Sequence, residues 1–338
     1  MNLSTEKISY RVFCVLLSAA AVFCGGITVS GNTKNEQSLS LPDSVERFLV
    51  SSGEKKTKNG TVGKVLQIVE VYFHGENEYR QMALEDYVTG VVLGEMPSGW
   101  NPEAYKAQAV AARTFALYKL TGGKKCSCGA VLCDCPGHCM AYCDYGEAEK
   151  TVPEKVRTVS SAVRETGGET VVYDGKLIEA LFHSSSYRMT AGSDEVWGGS
   201  LPYLVPVETP EDPIVTEKEV GREELEEIFG VVITEAGAES APGAVTAFSE
   251  MSGRSSGLVF DGFEIPAAEV RTALSLASAN FRVEYNGEND SFQFTVYGKG
   301  HGVGMSQYGA QKMAENGAGY REILLHYYSG CEILCGGE

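Results

Sequence analysis

Apolar residues recur at helical spacing in the segment that begins at Leu84. The positions that share one face are Leu84, Val88, Val91 and Val92. This pattern predicts a helix. It ends before Pro97, because proline lacks an amide donor and disfavours helix in the residue before it. Glu95 therefore lies at the end of the predicted helix.

A second helix is predicted after this break. Asn101 is placed to cap it, Pro102 suits its first turn, and an alanine-rich sequence continues it to about Lys119. Lys106 and Arg113 are seven residues apart on this helix and share a face at two-turn spacing, whereas Gln108 lies well off that line. The helix thus presents its cations on one side.

The rest of the chain mixes strand and helix patterns without regular βαβ alternation, which predicts an α+β fold. The predicted strands are 65–73, a hairpin over 169–186 turned at Asp174-Gly175, and 291–298, which returns to the main core. The predicted helices are 153–164, 223–229, 267–276, one through Met313, and 320–328. We expect a larger domain formed by 63–212 and 291–335, with 213–290 inserted as a second, smaller domain.

The N-terminal region has the pattern of a targeting segment. Lys7 and Arg11 precede an uncharged apolar run from Val12 to Val29, whose length suits one membrane span with the N-terminus in the cytoplasm. A cleaved signal peptide is the alternative, but no convincing cleavage site follows the run. We therefore expect a cytoplasmic tip and membrane anchor over 1–30. A flexible tether would follow over 31–62, with the remainder outside the cytoplasm.

Glu95 is the first candidate for chemistry. Met96 and Trp100 are apolar neighbours, and desolvation beside them would raise the pKa of the carboxyl group, as a general acid requires near neutral pH. Glu85 and Asp86 lie in the first turn of the same helix, and ten helical residues separate Glu85 from Glu95 by about 15 Å. The sequence therefore offers no close second carboxylate for a hydrolase of the two-carboxylate type.

Two long segments resemble a known protein family. They are GEMPSGWNPEAYKAQAVAARTFAL, which begins at Gly94, and GKGHGVGMSQYGAQKMAENGAGYREILLHYYSG at 298–330. Both are similar to the stage II sporulation protein D family of spore-forming bacteria, and the resemblance extends over roughly 65–332. It implies a lytic transglycosylase that cleaves peptidoglycan glycan strands during engulfment.

The resemblance implies roles for particular residues. Glu95 would be the catalytic acid and then the base, and the substrate-binding residues would include Lys106, Gln108 and Arg113. A lytic reaction needs only one carboxylate, because the 6-hydroxyl of muramic acid replaces water. The product is then a 1,6-anhydro-muramic end, and no cofactor takes part in catalysis.

A serine-rich loop, HSSSYRMTAGSDEVWGG at 183–199, is the second candidate site. Ser184, Ser185 and Ser186 offer hydroxyl groups to a sugar, and Trp197 offers a ring on which a sugar can stack. An ordinary hydrophilic loop is the alternative. The family has a comparable serine run followed by VWGG, which favours sugar binding, although YRM stands here where Gly-Gly is usual.

The glycine-rich segment GKGHGVGMSQYGA is the third candidate site. Glycines around His301 allow the backbone to approach a ligand closely. We predict that His301, Ser306 and Gln307 hydrogen-bond the saccharide, rather than that the turn serves packing alone. Lys299-Gly300 stands where the family usually has an aromatic residue.

The fourth candidate is a cysteine-rich loop. Six cysteines and one histidine fall within the 18 residues 126–143, a composition that fits either a zinc site or a set of disulfides. Some clostridial members of the family hold zinc through a comparable His-Cys pair, which favours a structural zinc. The expected ligands are Cys128, Cys133, His138 and Cys139, with Cys126 as the alternative to Cys128. Cys331 and Cys335 are expected to form a small disulfide.

Charge and motif spacing limit the competing functions. The net charge of −17 disfavours nucleic-acid binding and tight binding to anionic wall polymers, so a glycan stripped of its peptides fits better. The five histidines show no HExxH-type spacing for a zinc hydrolase, and no G-x-S-x-G elbow supports a serine hydrolase. A non-catalytic peptidoglycan-binding scaffold is the alternative to the transglycosylase.

The resemblance also implies a location and partners. The chain would act at the mother-cell engulfing membrane. An amidase that strips stem peptides and an integral membrane protein that recruits the complex would be its partners.

Overall fold

The computed structural model describes residues 67–239, 249 and 251–335. Helices and strands are mixed, in agreement with the predicted α+β class. Within these residues no helix is long and apolar enough to cross a membrane. The predicted anchor at 12–29 and the predicted tether at 31–62 lie outside the described residues.

Most strands of the described residues are short. They are β1 (Ile68–Phe73), β2 (Glu78–Ala83), β3 (Leu132–Cys133), β4 (Glu169–Tyr173), β5 (Lys176–Leu177), β6 (Phe182–His183), β7 (Val215–Gly221), β8 (Gly257–Phe260), β9 (Phe263–Pro266), β10 (Phe281–Asn286), β11 (Ser291–Tyr297), β12 (Met305–Ser306) and β13 (Glu332–Cys335).

The helices of the described residues are α1 (Leu84–Glu95), α2 (Pro102–Gly122), α3 (Tyr145–Thr151), α4 (Pro153–Glu165), α5 (Ser193–Trp197), α6 (Arg222–Phe229), α7 (Glu235–Glu239), α8 (Ala267–Ala273), α9 (Gln307–Glu315) and α10 (Tyr320–Tyr327). The longer helices fall at or close to the predicted positions, whereas the short helices α3, α5 and α7 were not predicted.

The helix pair around Glu95 forms as predicted. α1 ends at Glu95, and Met96 after it is extended with ψ 141°. The side chain of Asn101 caps α2 by accepting a hydrogen bond from the amide of Glu103 at 3.0 Å. α2 continues past the predicted Lys119 to Gly122, where a left-handed Gly123 ends it.

Alanine explains the central place of α2. Its fully buried alanines are Ala104, Ala107, Ala109, Ala111, Ala112 and Ala116. Side chains this small allow α1, α4, α9, α10 and β4 all to pack closely against the same helix. The helix that follows Glu95 is therefore a rigid base for the site.

Several small sheets surround these helices. β1 pairs with β2 in the antiparallel sense and with β3 in the parallel sense. β4 pairs with β13 and β5, and the β4–β5 turn has positive φ at Asp174 and Gly175, as a type I′ hairpin requires. The predicted hairpin over 169–186 is wrong beyond Leu177, because β6 pairs in parallel with β12 instead.

The buried apolar residues form two clusters. The larger draws on 69–204 and 303–331, and the second draws on 220–296. The strand predicted over 291–298 forms as β11, but its predicted return to the larger core is wrong. It pairs with β7 and β10 and buries its phenylalanines in the second cluster. The domain boundaries themselves stay a prediction.

Candidate active site

The carboxyl group of Glu95 is held at the junction of three chain segments. One oxygen accepts a hydrogen bond from the amide of Ala141 at 2.6 Å, and the other lies 3.4 Å from the side-chain nitrogen of Gln307. Ala141 belongs to the cysteine-rich loop, and Gln307 is the first residue of α9. The end of α1, the cysteine-rich loop and the glycine-rich segment therefore meet at this carboxyl group.

The environment of Glu95 changes its acidity. Burial raises the pKa of the carboxyl group, because the charged form loses contact with water. The hydrogen bonds from Ala141 and Gln307 lower the pKa but do not reverse this effect. Glu95 thus keeps its proton to higher pH than an exposed glutamate, as a general acid must.

Two glutamines adjoin this carboxyl group. Gln307 lies 3.5 Å from Gln108, measured between the side-chain nitrogen and the side-chain oxygen. Gln108 is fully buried, and its own side-chain nitrogen has no hydrogen-bond partner among the described residues. The structure therefore brings Glu95, Gln108 and Gln307 together, although the sequence set Gln108 apart from the cationic line of α2.

An aromatic pair lies next to this group. The rings of Trp100 and Tyr308 are 4.9 Å apart in an edge-on arrangement. The amide of Tyr308 donates to the carbonyl oxygen of Ser184 at 3.0 Å, which places the half-buried Ser184 near Gln307. Sequence reasoning missed Tyr308, although its position directly after Gln307 was a usable signal.

The structure does not place Arg113 at Glu95. The guanidinium group is 1% exposed and makes two hydrogen bonds to the carboxylate of Glu85, at 2.8 and 2.7 Å, and one to the carbonyl oxygen of Glu169. A buried charge needs such partners, because an unpaired one is costly. Arg113 therefore ties α2 to α1 and β4.

Lys106 is likewise engaged elsewhere. Its ammonium group forms ion pairs with Glu103 at 2.7 Å and with Glu165 at 2.9 Å. The predicted common face of Lys106 and Arg113 exists, but it is turned toward α4 and its carboxyl-terminal end. The sequence predicted Lys106 and Arg113 in the active site, but the described contacts do not place them there.

Most of the predicted serine hydroxyl groups point inward. Ser185, Ser186 and Ser306 are at most 2% exposed. The buried carboxylate of Glu211 accepts hydrogen bonds from the amide of Ser186 at 2.9 Å and from the hydroxyl of Ser306 at 2.5 Å. The hydroxyl of Thr209 also donates to Glu211.

This network has a structural effect. The imidazole of His183 bonds the hydroxyl of Ser186 at 2.6 Å, and the Ser185 hydroxyl donates to the Ser186 carbonyl oxygen. These hydroxyl groups form hydrogen bonds with partners inside the protein. Their network connects β6 with β12. No local sequence signal distinguished Glu211 from the other glutamates of this acidic chain.

His301 and Trp197 form a separate group. Their rings are 5.3 Å apart, and Trp197 is 54% exposed. Burial, together with the charges of Arg271 and Arg254, lowers the pKa of His301 to about 4. The imidazole is therefore neutral at neutral pH, and its Nδ1 accepts a hydrogen bond from the amide of Val303 at 3.1 Å.

Trp197 and His301 line a cleft of about 940 Å³. The other described lining residues come from the C-terminal part of α2 and residues 124–126 after it, from 136–139 of the cysteine-rich loop, and from β5 with Glu179 and Leu181 after it. We call it the cysteine-loop cleft. The same loop reaches Glu95 through Ala141, so the cleft and the Glu95 group share one structural element.

The cysteine-rich loop contains two overlapping sets of metal-binding side chains. The first consists of His74, Cys128, Cys133 and His138, and the second of Cys126, Cys133 and Cys139. Ligand atoms within each set lie within 4.8 Å of one another. Cys139 thus separates from the predicted set, and His74 takes its place. Sequence reasoning missed His74, because it lies far upstream at the end of β1.

The first set fits a zinc ion. Two thiols and two imidazoles are a common donor set for tetrahedral structural zinc. Nδ1 of His74 bonds the carboxylate of Asp134 at 2.7 Å, and Nε2 of His138 bonds Ser127 at 2.6 Å. The opposite ring nitrogens are left for an ion, and such outer contacts orient metal-binding imidazoles.

The disulfide alternative does not appear in the described cysteines, which are all free thiols. The sulfur atoms of Cys126 and Cys139 lie 3.4 Å apart. Cys331 and Cys335, which were expected to pair, are both free. The zinc itself stays a prediction.

Comparisons with known proteins agree with the resemblance in the motifs. The family profile described as "SpoIID: Stage II sporulation protein" matches residues 72–173, which include Glu95, Gln108 and the cysteine-rich loop. Stage II sporulation protein D of Bacillus subtilis (strain 168) is 33% identical over 275 residues, which cover 78% of this chain and 78% of that protein.

Two further relatives extend the comparison. Stage II sporulation protein D of Bacillus amyloliquefaciens is also 33% identical over 275 residues, with 78% of each chain covered. A protein named amidase enhancer, from Bacillus subtilis (strain 168), is 29% identical over 298 residues, which are 72% of this chain and 40% of that protein. On these matches the chain belongs to the stage II sporulation protein D family.

Proposed function

We propose that this chain is a lytic transglycosylase that cleaves peptidoglycan strands between N-acetylmuramic acid and N-acetylglucosamine. The observation that carries the proposal is the half-buried carboxyl group of Glu95, which has a raised pKa and is held by the amide of Ala141. Membership of the family supports a sporulation-related function at the cell wall. The reaction and its residues are the proposal.

Bond cleavage would begin with the protonated form of Glu95. The carboxyl group donates its proton to the glycosidic oxygen while the bond from that oxygen to muramic C1 breaks. Positive charge then develops at C1, next to the newly formed carboxylate. The amides of Ala141 and Gln307 stabilise this carboxylate, because both lie within reach of its oxygens.

Ring closure would complete the reaction. The carboxylate of Glu95 takes the proton from the muramic 6-hydroxyl as O6 bonds to C1. This step gives the 1,6-anhydro end and returns Glu95 to its acid form, so no water is consumed. A single carboxylate therefore serves as acid and then as base.

The contacts of neighbouring carboxylates support a one-carboxylate reaction. Glu85, the carboxylate at the other end of α1, is engaged by Arg113. The described partners of the Glu95 carboxyl group are amides and not a second acid. Hydrolysis by retaining or inverting enzymes instead needs two carboxyl groups placed around the bond.

A structural zinc is part of the proposal. His74, Cys128, Cys133 and His138 would hold it, and four protein donors leave no open position for water. The ion would supply a cross-link between β1 and the cysteine-rich loop. The loop then leads to Ala141, so a fixed loop also fixes a donor to Glu95.

Location and partners are proposed with the reaction. The chain would act outside the cytoplasm at the engulfing membrane, held there by its N-terminal segment. Its partners would be an amidase that removes stem peptides and an integral membrane protein. One relative is named amidase enhancer, and this supports a role beside an amidase.

The decisive experiment incubates the purified full-length chain with peptide-free glycan strands and analyses the products by mass spectrometry. We expect anhydro-muramic ends from the wild type and none from Glu95→Gln. Asp86→Asn is the matched control, because it makes the same chemical change at an exposed position of α1. It should keep full activity.

Other products would overturn the proposal. Reducing ends would mean hydrolysis by water, and the search would turn to a second carboxylate. Intact strands that remain bound to wild type and Glu95→Gln alike would favour the second candidate, a non-catalytic scaffold. That candidate needs the exposed Trp197 and the cysteine-loop cleft but not the raised pKa of Glu95.

A further inference from the structure

The cysteine-loop cleft differs in charge from the rest of the chain. Its lysines are Lys119, Lys124, Lys125 and Lys176. Glu179 is the one carboxylate among the lining residues, whereas the whole chain has a formal charge of −17. Positive side chains are therefore concentrated in one concave site of an acidic protein, and such a concentration attracts anionic ligands.

Three of these lysines are available to a ligand. Lys124, Lys125 and Lys176 are exposed, and none of them forms an ion pair within the part of the chain that the structure describes. Lys119 is different, because its ammonium group lies 3.1 Å from the sulfur atoms of both Cys126 and Cys139. Lys119 thus belongs to the cysteine-rich loop.

The charge of Glu179 does not offset these lysines fully. Burial raises the pKa of its carboxyl group, while the charges of Lys124 and Lys119 lower the pKa. One carboxylate among four lysines leaves the lining with an excess of positive side chains.

The aromatic part of the lining suits a sugar. Trp197 is exposed beside the neutral imidazole of His301, and ligand sites commonly combine an aromatic surface with a few polar groups. A ligand that fills this cleft would place a flat apolar face on Trp197 and its negative groups among the lysines. A carboxylated saccharide has both features, whereas a flexible polyol phosphate lacks the flat ring.

We propose that Lys124, Lys125 and Lys176 recognise the free lactyl carboxylates of peptide-stripped glycan strands in the cysteine-loop cleft. This inference rests on the proposed function and names how its substrate is recognised. Removal of a stem peptide takes the carboxylates of the peptide away and converts the lactyl amide of muramic acid into a carboxylate, so the negative charge of a stripped strand lies directly on its sugars. The cleft would then select strands on which an amidase has already acted.

The test measures binding of the full-length chain to two chemically matched ligands. One is a peptide-free glycan strand with free lactyl carboxylates, and the other is the same strand after those carboxylates have been converted to methyl amides. Glu95→Gln is used in every binding assay, so that no strand is cleaved during the measurement. Affinities are determined by calorimetry at low and at physiological salt.

We expect the carboxylate strand to bind at least about tenfold more tightly than the amidated strand at low salt, and less so at higher salt. The triple change Lys124→Gln, Lys125→Gln and Lys176→Gln should remove this preference and leave binding of the amidated strand unchanged. The matched control removes three cations outside the cleft, through Lys150→Gln, Arg157→Gln and Lys312→Gln. It should keep the preference.

Each other outcome contradicts the inference. Equal binding of the two strands by Glu95→Gln, or a preference that survives the triple change, would overturn it. Tighter binding of a poly(glycerol phosphate) chain with the same dependence on the three lysines would assign the cleft to a different polymer.

Cleavage by the wild type is scored separately. Cleavage of both strands at the same rate and with the same affinity would support the proposed function and contradict this inference. A lysine-dependent preference for the carboxylate strand without any cleavage would support this inference and contradict the proposed function.

Discussion

The Glu95 carboxyl group is subject to opposing influences. Burial favours the neutral acid, while the amides of Ala141 and Gln307 favour the carboxylate. The result is a raised pKa, so the proton needed for bond cleavage is retained further toward neutral pH. The same two amides would stabilise the anion that forms when the proton leaves.

The pH dependence of cleavage should follow this balance. Activity should fall as pH rises through the pKa of Glu95, because the proton donor is lost. Gln307→Met removes a hydrogen bond that lowers the pKa, so the alkaline limb of the kcat profile should move to higher pH. The measurement is kcat against pH for both proteins on peptide-free strands.

If the alkaline limb of the kcat profile moved to lower pH or stayed in place, Gln307 would not lower the pKa of Glu95 as we expect. Gln311→Met is a control, because Gln311 lies one turn further along α9 and bonds Glu315 and the amide of Asn101. His301 should not add a limb between pH 5 and 8, since its pKa is lowered to about 4.

The contact between α1 and α2 depends on the pair formed by the buried Arg113 and the half-buried Glu85. Loss of one partner leaves a charge without compensation. We expect Arg113→Met to lower the free energy of unfolding by about 3 kcal/mol. Urea denaturation measures this change. Arg157→Met breaks an exposed pair with Glu154 and should alter the free energy by about 0.5 kcal/mol or less.

This prediction also decides between two roles for Arg113. If the residue bound substrate, Arg113→Met would weaken binding of glycan strands without loss of stability. Its 1% exposure and its contacts with Glu85 and Glu169 support the structural role. Binding measured well below the unfolding transition should therefore match the wild type.

The cysteine-rich loop connects distant parts of the molecule, since His74 lies at the end of β1 and Ala141 holds Glu95. We expect about one zinc ion per chain in protein purified without chelator. His74→Gln and Cys133→Ser should each lose it, as measured by mass spectrometry of the native protein. Chelation should also lower cleavage, because the donor at Ala141 is no longer fixed.

Cys135→Ser is the matched control, because Cys135 belongs to neither set of metal-binding side chains. It should retain the ion. Loss of zinc from Cys139→Ser with retention in His74→Gln would instead restore the ligand set expected from the sequence. Retention in all variants would exclude the loop as the binding site.

A side chain from the segment of the second cluster packs against the glycine-rich segment next to His301. Arg254 comes from the second cluster's segment and is 5% exposed, and its guanidinium group lies against Gly302. A side-chain carbon at Gly302 would stand 2.5 Å from one guanidinium nitrogen, and the backbone φ there is +85°. The positive φ favours glycine at this position, and any side chain there would also force the guanidinium group to move.

We therefore expect Gly302→Ala to lower the free energy of unfolding by more than the cost of the positive φ alone. Gly262 also has φ +85° but has open space around it, so Gly262→Ala isolates the conformational cost of about 1–2 kcal/mol. We expect Gly302→Ala to lose at least about 1 kcal/mol more in urea denaturation, since Arg254 has little room to move. Equal losses would mean that the guanidinium group moves aside.

Local patterns in the sequence determined the elements around Glu95. The helical spacing from Leu84, the break at Pro97 and the cap at Asn101 act over a few residues, so they predicted α1 and α2 correctly. The α+β class could be recognised from the mixed patterns, and Glu95 and Gln307 could each be recognised as site residues from motifs. The same holds for a cysteine-rich loop with metal-binding residues.

Only the tertiary structure decided which side chains meet. Periodicity placed Lys106 and Arg113 on one face, but packing turned that face toward α4 and left Gln108 to meet Gln307. His74 joins Cys128 only after β1 and the loop are brought together.

Strand pairing between segments that are distant in the chain was likewise decided by the tertiary structure. β11 joins the second cluster through its pairing with β7, which lies about 70 residues earlier in the chain. Sequence patterns report the preferences of neighbouring residues, whereas burial and charge pairing are settled between segments that are distant in the chain. The elements could therefore be predicted from the sequence, while the partners at the site could not.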